Sequence, residues 1–256
     1  MNKKPLVSIL LPVHNSERFL KESLQSLVSQ KYRNIEIIAI DDSSSDSSYK
    51  ILKSFKKKSK KLRVFRNVKR YGIVMTLNRL IRKTKGEFVV FADADDISAK
   101  NRIQKQISYL ELNPNVVALG TQCRFFDEKG RNLGKSNFPT ENSDIYNSTL
   151  HGISVQFETL MINRNILPKD VLKFNPGALP FIYSDLMIKL LPYGKFANLP
   201  NYLHYHRNHP RAYILDLRNN FISLMKLWAK SNALYDYQPS IRLFLLTLFR
   251  TARISY

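Results

Sequence analysis

Three short polar clusters hold the residues able to do chemistry. Asp93-Ala94-Asp95-Asp96 follows the apolar run 88–92, Asp41-Asp42-Ser43 follows 35–40, and Pro12-Val13-His14-Asn15 follows 6–11. Asp93 and Asp95, one residue apart, suit a hard divalent cation shared with a diphosphate. Mg2+ and Mn2+ favour oxygen ligands and often take only one or two carboxylates, with phosphate and water completing the shell. Taken alone, the same tripeptide also suits a solvated acidic turn. Asp41-Asp42 can hydrogen-bond the base or ribose of a nucleotide. It can equally belong to a helix N-terminus, where acidic side chains complement the dipole.

The elements that must position these clusters alternate strand and helix. Residues 6–11, 35–40, 62–65 and 88–92 read as short buried strands. Ser16-Glu17 opens an amphipathic helix with Phe19, Leu20, Leu24, Leu27 and Val28 at helical spacing. Ser45 or Asp46 caps a second helix through Ile51, Leu52 and Phe55. A third covers 72–85 and stops at Gly86, and a fourth covers 100–112. This order predicts an α/β fold, a mostly parallel sheet flanked by helices. Ligands of such sheets bind beyond the carboxyl ends of the strands, where all three clusters fall.

The second half is less regular. Residues 116–119 and 123–126 read as two strands with a turn at Glu128-Lys129-Gly130-Arg131, and 154–162 as another strand. A short helix over 183–191 carries Asp185, and helices over 212–234 and 239–253 close the chain.

Composition narrows the classes. The chain has 256 residues, 44% of them hydrophobic, enough for one large domain with a helical extension. Its single cysteine, Cys123, forms no intrachain disulfide and fits a reducing compartment. Pro12, His14 and Asn15 interrupt the first apolar run too early for a signal peptide, and no run reaches the roughly 18 apolar residues of a membrane span. A cytoplasmic chain is expected. The net charge of +21 favours an anionic partner, whether nucleic acid, an acidic membrane surface or a phosphorylated substrate, though lysine-rich surfaces also follow genome composition. Nucleic acid is not expected: the carboxylate clusters repel phosphate without a metal, and no recognition motif is present.

Val7-Ser8-Ile9-Leu10-Leu11-Pro12-Val13-His14-Asn15, then Ile40-Asp41-Asp42-Ser43-Ser44-Ser45-Asp46, then Gly86-Glu87-Phe88-Val89-Val90-Phe91-Ala92-Asp93-Ala94-Asp95-Asp96 resemble the family-two glycosyltransferases, which have the GT-A fold. The resemblance is strong over about residues 5–112, weakens towards 210 and does not cover the last helices. It implies a GT-A domain over 1–210, with a nucleotide-sugar half at 1–112 and an acceptor half at 113–210. Residues 211–256 would be an extension that contacts an anionic membrane surface or a second subunit. By this resemblance Pro12, His14 and Asp42 line the nucleotide pocket, Arg70 lies near the base, and Asp93 meets the ribose or donor sugar. Asp95 ligates Mn2+ or Mg2+, and His209 matches a position that meets the metal or diphosphate. Asp185 stands as the catalytic base, although Ser184 replaces the glutamate that the family places before it. Two further departures are Asp-Asp-Ser-Ser for Asp-Asp-Gly-Ser, and Thr76-Leu77-Asn78 for Ala-Arg-Asn. The implied activity is inverting transfer from a nucleotide sugar, by family habit a UDP-sugar, to a hydroxyl of a glycan or lipid-linked acceptor. The alternatives are a basic nucleic-acid-binding protein and an inactive domain of this fold.

Overall fold

The four N-terminal apolar runs are strands because aliphatic and β-branched side chains cover both of their faces. A computed structural model describes residues 4–148, 154–208, 221–235 and 237–238. The expected helix over 239–253 and His209 lie outside the described residues. The first elements are β1 (Val7–Val13), α1 (Leu20–Val28), β2 (Ile35–Asp41), α2 (Ser48–Lys58), β3 (Leu62–Arg66), α3 (Ile73–Ile81) and β4 (Phe88–Phe91). β1 pairs in parallel with both β2 and β4, and β2 with β3. Alternate residues of β1 serve opposite faces. Val7, Ile9 and Leu11 pack with Leu20, Leu24 and Leu27 of α1, while Leu10 packs with Val74, Leu77 and Leu80 of α3. Burying each such side chain contributes about 1.5–3 kcal/mol.

Pro12 sits in a central strand, where a missing N–H would normally break a ladder. Here Leu10 faces β4, its carbonyl accepting from the Ala92 N–H (3.0 Å). Pro12, two residues on, faces the same way but lies past the last β1–β4 pair, Leu10 with Phe91. Its ring therefore removes no ladder bond.

The remaining elements are β5 (Ile97–Ser98), α4 (Arg102–Leu112), β6 (Val116–Asp127), β7 (Asn132–Lys135), α5 (Asn142–Ser148), β8 (Met161–Asn163), α6 (Ile182–Leu190), β9 (Lys195–Asn208) and α7 (Phe221–Leu234). The sheet order is β3-β2-β1-β4-β8-β6-β9-β5, with β7 paired to β6. The α/β architecture is as expected; the sheet is wholly parallel from β3 to β4, and antiparallel pairs enter beyond it. β8 runs antiparallel to β4 and to β6, and β9 returns parallel to β6. The two strands read at 116–119 and 123–126 are one, because Thr121 and Gln122 between them find partners. The Thr121 N–H donates to Thr159 Oγ1 (3.1 Å), and Gln122 Nε2 donates to the Phe138 carbonyl (2.8 Å). The strand expected over 154–162 shrinks to β8. The Gln156 carbonyl accepts both the N–H and the hydroxyl of Thr159, curling Phe157–Thr159 into a 3-10 turn.

Two buried carboxylates tie this frame together. Glu36 of β2 accepts from Ser8 Oγ of β1 (2.7 Å), Arg63 Nη1 of β3 (2.6 Å) and the Lys85 N–H ahead of β4 (2.8 Å). Burial disfavours its charge, yet these bonds outweigh it and hold the carboxyl below the usual range. At the opposite end of the strands, Asp96 accepts from His204 Nε2 (2.8 Å), His206 Nδ1 (3.0 Å) and the Arg207 N–H (2.8 Å), all on β9.

Two predictions follow from these ties. Glu36→Gln lowers folding stability by about 1–3 kcal/mol at neutral pH, measured by urea denaturation. A carboxyl depressed in the folded state stabilises above its unfolded pKa, about 4.3, and that contribution is lost as pH falls. Stability of the parent chain therefore declines more steeply below pH about 5 than that of the variant. Asp96→Asn turns an amide towards three N–H donors and strands His206, so its cost is about 3–5 kcal/mol, read as a lower melting temperature. A melting curve unchanged by that substitution refutes the clamp.

Candidate active site

The loops after β1 and β2 are laced together. The Asn15 N–H donates to Ser44 Oγ (3.0 Å), and Asn15 Oδ1 accepts the Ser45 N–H (2.9 Å). Ser16 N–H meets Ser48 Oγ (2.8 Å), while Glu17 and Asp46 exchange backbone donors: Glu17 N–H to Asp46 Oδ2 (3.0 Å), Ser47 N–H to Glu17 Oε2 (2.7 Å). These ties turn the expected start of the first helix into a loop, so α1 begins at Leu20. Asn15 and Ser43 take φ of 47° and 56°. Left-handed backbone at non-glycine residues costs about 1–3 kcal/mol and gathers at ligand sites. His14 Nδ1 lies 2.9 Å from the Asp42 carbonyl. A carbonyl only accepts, so Nδ1 carries the hydrogen, and in the neutral ring Nε2 is left as an acceptor.

Asp42 shapes the loop that carries Arg70. Its carboxylate accepts from Asn67 Nδ2 (2.6 Å), the Tyr71 N–H (2.9 Å) and the Gly72 N–H (2.8 Å). Burial opposes the charge, but these donors and Thr76 win, and the carboxyl sits below its usual range. Gly72 holds φ of 81°, which frees its N–H to turn towards Asp42. Arg70 is exposed on the same loop. Arg66, which the sequence did not single out, pairs with Asp41 (3.0 Å) and lies over the Tyr49 ring.

Past the end of β4, Asp93, Asp95 and Asp96 offer carboxylate oxygens within 4.8 Å of one another. Their environments differ. Burial and then repulsion from Glu158, Asp96 and Asp95 push the Asp93 carboxyl well above the usual range. Asp96 moves the other way: burial opposes its charge, and His204 and His206 outweigh it. His206 answers by rising to about 9 against its own burial. The Asp96 oxygens accept from β9, and among the described residues Asp93, Asp95 and Asp96 form one group, and Asp96, His204 and His206 another, whose ligand atoms lie within 4.8 Å of one another. The carboxylate oxygens suit a hard ion, and a cation would offset the acidic crowding that raises the Asp93 carboxyl.

A cationic wall stands behind this cluster. Arg207 donates through Nε to the Asp95 carbonyl (3.0 Å) and through Nη2 to Glu22 (2.7 Å). Its guanidinium lies 4.0 Å from the Phe19 ring centroid and 4.4 Å from that of Phe126. Arg102 is fully buried and donates to Ser98 Oγ, Gln106 Oε1 and the Glu158 carbonyl. His204, His206 and Arg207 were legible only as part of the run 199–209, which resembles the family's closing strand and the basic loop after it, and Glu158 and Arg102 carried no sequence signal.

The structure groups Pro12, His14, Asp42 and Arg70 on neighbouring strand ends and Asp93 with Asp95 beside them. Asp185 is fully buried on α6; one carboxylate oxygen is ion-paired with Lys230 of α7, and Oδ2 has no partner among the described residues. The carboxylate turns to the C-terminal helix because a buried charge requires a partner and Lys230 supplies it.

The model for Glycosyl transferase family 2 matches residues 8–169. An uncharacterized glycosyltransferase of Haemophilus influenzae is 29% identical over 220 residues, 82% of this chain and 67% of that protein. The chain spans from 47% to 67% of the length of the first curated relatives it matches. Among solved structures, S. aureus TarS 1-349 in complex with UDP-GlcNAc superposes with a TM-score of 0.75, at 20% identity, covering 98% of this chain and 73% of TarS. The mannosyltransferase PcManGT from Pyrobaculum calidifontis, in complex with GDP-Man and Mn2+, gives 0.70 at 18% identity, covering 99% and 71%. With the family match extending over more than half of the sequence, from Ser8 of β1 to the segment after β8, the chain belongs to glycosyl transferase family 2.

Proposed function

We propose that this protein transfers a sugar from a nucleotide sugar, a UDP-sugar, to a hydroxyl of a glycan or lipid-linked acceptor with inversion at the anomeric carbon. The observation that carries this reading is the Asp93–Asp95 pair, crowded and backed by Arg102, His206 and Arg207, beside the loops tied by Asp42. UDP-GlcNAc in TarS, and GDP-Man with Mn2+ in PcManGT, support a nucleotide-sugar donor and a divalent ion. Pro12, His14, Asp42 and Arg70 form the nucleotide side, Asp93 meets the ribose or donor sugar, and Asp95 holds Mn2+ or Mg2+. When bound, that ion supplies charge neutralisation for the leaving diphosphate. The acceptor oxygen attacks from the face opposite the diphosphate, so one displacement inverts the centre.

No helix among the described residues is long and apolar enough to cross a membrane. α7 leaves Ile222 and Leu234 exposed. Together with the net charge of +21, these side chains support contact with an anionic membrane surface, on the cytoplasmic side.

Two substitutions test the reading. Asp95→Asn removes one of few cation ligands, so UDP release from UDP-sugars falls to background and UDP binding no longer responds to Mn2+ in calorimetry. Turnover unchanged in that variant, with Mn2+ or Mg2+ supplied, refutes the metal assignment. Asp42→Ala frees the loop carrying Arg70, and UDP affinity drops at least about tenfold, the equivalent of about 1.4 kcal/mol. Wild-type affinity in Asp42→Ala removes that loop from the donor site.

A further inference from the structure

Asp185 lies in a seam where packing alone calls for an apolar residue. Its N–H donates to the Phe181 carbonyl (2.9 Å), so Phe181, Asp185 and Ile188 follow one helical face at i, i+4 and i+7. Phe181 and Ile188 pack with Leu224 and Leu227 of α7. Lys230 comes three residues after Leu227, on the same side of α7, and its ammonium meets the carboxylate from the facing helix. An ion pair buried between apolar helices adds little stability over an apolar pair of similar size, because desolvation offsets its attraction. Its presence in this seam points to chemistry.

The first turn of α6 stands at the carboxyl end of β4. Phe157 stacks on Tyr183 of that turn (ring centroids 4.1 Å apart) and packs on Phe91, the last residue of β4 (4.5 Å). One ring therefore separates the turn carrying Asp185 from the strand end that leads into Asp93.

The two oxygens of Asp185 have different surroundings. Oδ1 pairs with Lys230 Nζ. Oδ2 is sealed from water and meets no donor among the described residues. A buried acceptor atom in that state costs free energy until a donor arrives, and a hydroxyl is such a donor. The Lys230 side chain keeps 26% of its surface in solvent, so the pair lies just beneath the surface of the seam. The other ammonium nearby, Lys189, lies one turn further along α6 and donates to the Lys173 carbonyl instead. Burial draws Lys189 down to about 8 even with Asp185 near, whereas Lys230 rises, its bond to Asp185 outweighing burial.

We propose that Lys230 is a positioning residue for the transfer: it grips Asp185 by Oδ1 and leaves Oδ2 to take the proton of the acceptor hydroxyl. The inference rests on the transferase reading above, with Asp185 as the base that the family resemblance implies. The acceptor O–H proton passes to Oδ2, and the oxygen's electron pair forms the bond to the anomeric carbon. The bond from that carbon to the diphosphate oxygen breaks, and its electron pair leaves with the nucleoside diphosphate. Lys230 keeps its proton throughout and touches no reacting atom. The C-terminal helix thereby completes the site from outside the stretch that the family model matches.

The test uses the full chain with Mn2+ and follows UDP release, water serving as acceptor, from whichever among UDP-glucose, UDP-galactose and UDP-GlcNAc the parent chain cleaves fastest. Melting curves set an assay temperature at which every variant is folded. Lys230→Met keeps the stem and removes the charge. Its kcat falls roughly tenfold or more, a part of the hundredfold scale of general-base catalysis, while KM and the calorimetric UDP affinity stay at the parent values. Lys230→Arg restores the cation and recovers most of that loss. Asp185→Asn loses roughly a hundredfold in kcat, and adding Lys230→Met to it costs nothing further, because residues that act as a unit are not additive. The inference is overturned if Lys230→Met turns over like the parent chain, however much its melting temperature drops. It is equally overturned if UDP affinity falls in step with kcat, if Lys230→Arg is as slow as Lys230→Met, or if the two single losses multiply in the double variant. Should Lys230→Met fail to fold, Lys230→Gln decides on the same terms. Parent kcat in Asp185→Asn removes the base, and this inference with it, but leaves the transferase reading standing. No UDP release by the parent chain from any of the three donors overturns both.

Discussion

One buried carboxylate sets the geometry of the whole site. Asp96 is shut away from water, so its charge survives only if protein donors replace its hydration. All three donors come from the end of a single strand, β9, more than a hundred residues later in sequence. Meeting that demand brings the last strand of the sheet to the tip of the chain segment leaving β4. It also carries Arg207 to the Asp95 carbonyl and Phe19 ring. The same bonds occupy Asp96, whereas the charged neighbours of Asp93 are mostly acidic, with His206 the opposing one among the described residues. Two carboxylates three positions apart are thus shifted in opposite directions, Asp96 down by its histidines and Asp93 up by burial and acidic neighbours.

The donor side is built on the same logic with backbone in place of histidine. Asp42 is satisfied by two N–H groups of the loop after β3 and by Asn67, so the carboxylate dictates the path of that loop. Asn15 and Ser43 hold left-handed conformations because the bonds between the two loops over-determine them. Strain tolerated at strand ends and absorbed by a ladder of polar ties is what keeps such loops open and rigid at once.

What could be read from the sequence was whatever depends on near neighbours. Strands β1, β2, β3 and β4 announce themselves as apolar runs, and their parallel order follows from the helices between them, so the clusters at their ends could be placed together without coordinates. What escaped is set by distant partners. The spacing of His204 and His206 puts both on one strand face, but nothing local says that the face meets Asp96. Residues 154–162 alternate well enough for a strand, yet Thr159 bonds back to Gln156 and most of the segment curls. Asp185 sits where the family resemblance put a base, on the first turn of a helix, but nothing local foretells that Lys230, 45 residues on, pairs with one of its oxygens.

The electrostatic layout also accounts for how a chain of net charge +21 can keep a cluster of carboxylates at its strand ends. Long-range potential from the basic surface draws anions towards the cleft. The carboxylates inside then repel a bare diphosphate, so charge alone does not allow it to settle. A nucleotide sugar carrying a divalent ion would present a nearly neutral head, and Asp95 would hold that ion. Under the transferase reading, surface and pocket of opposite sign therefore act in sequence: the first gathers anions without discrimination, and the second admits those that arrive with a metal.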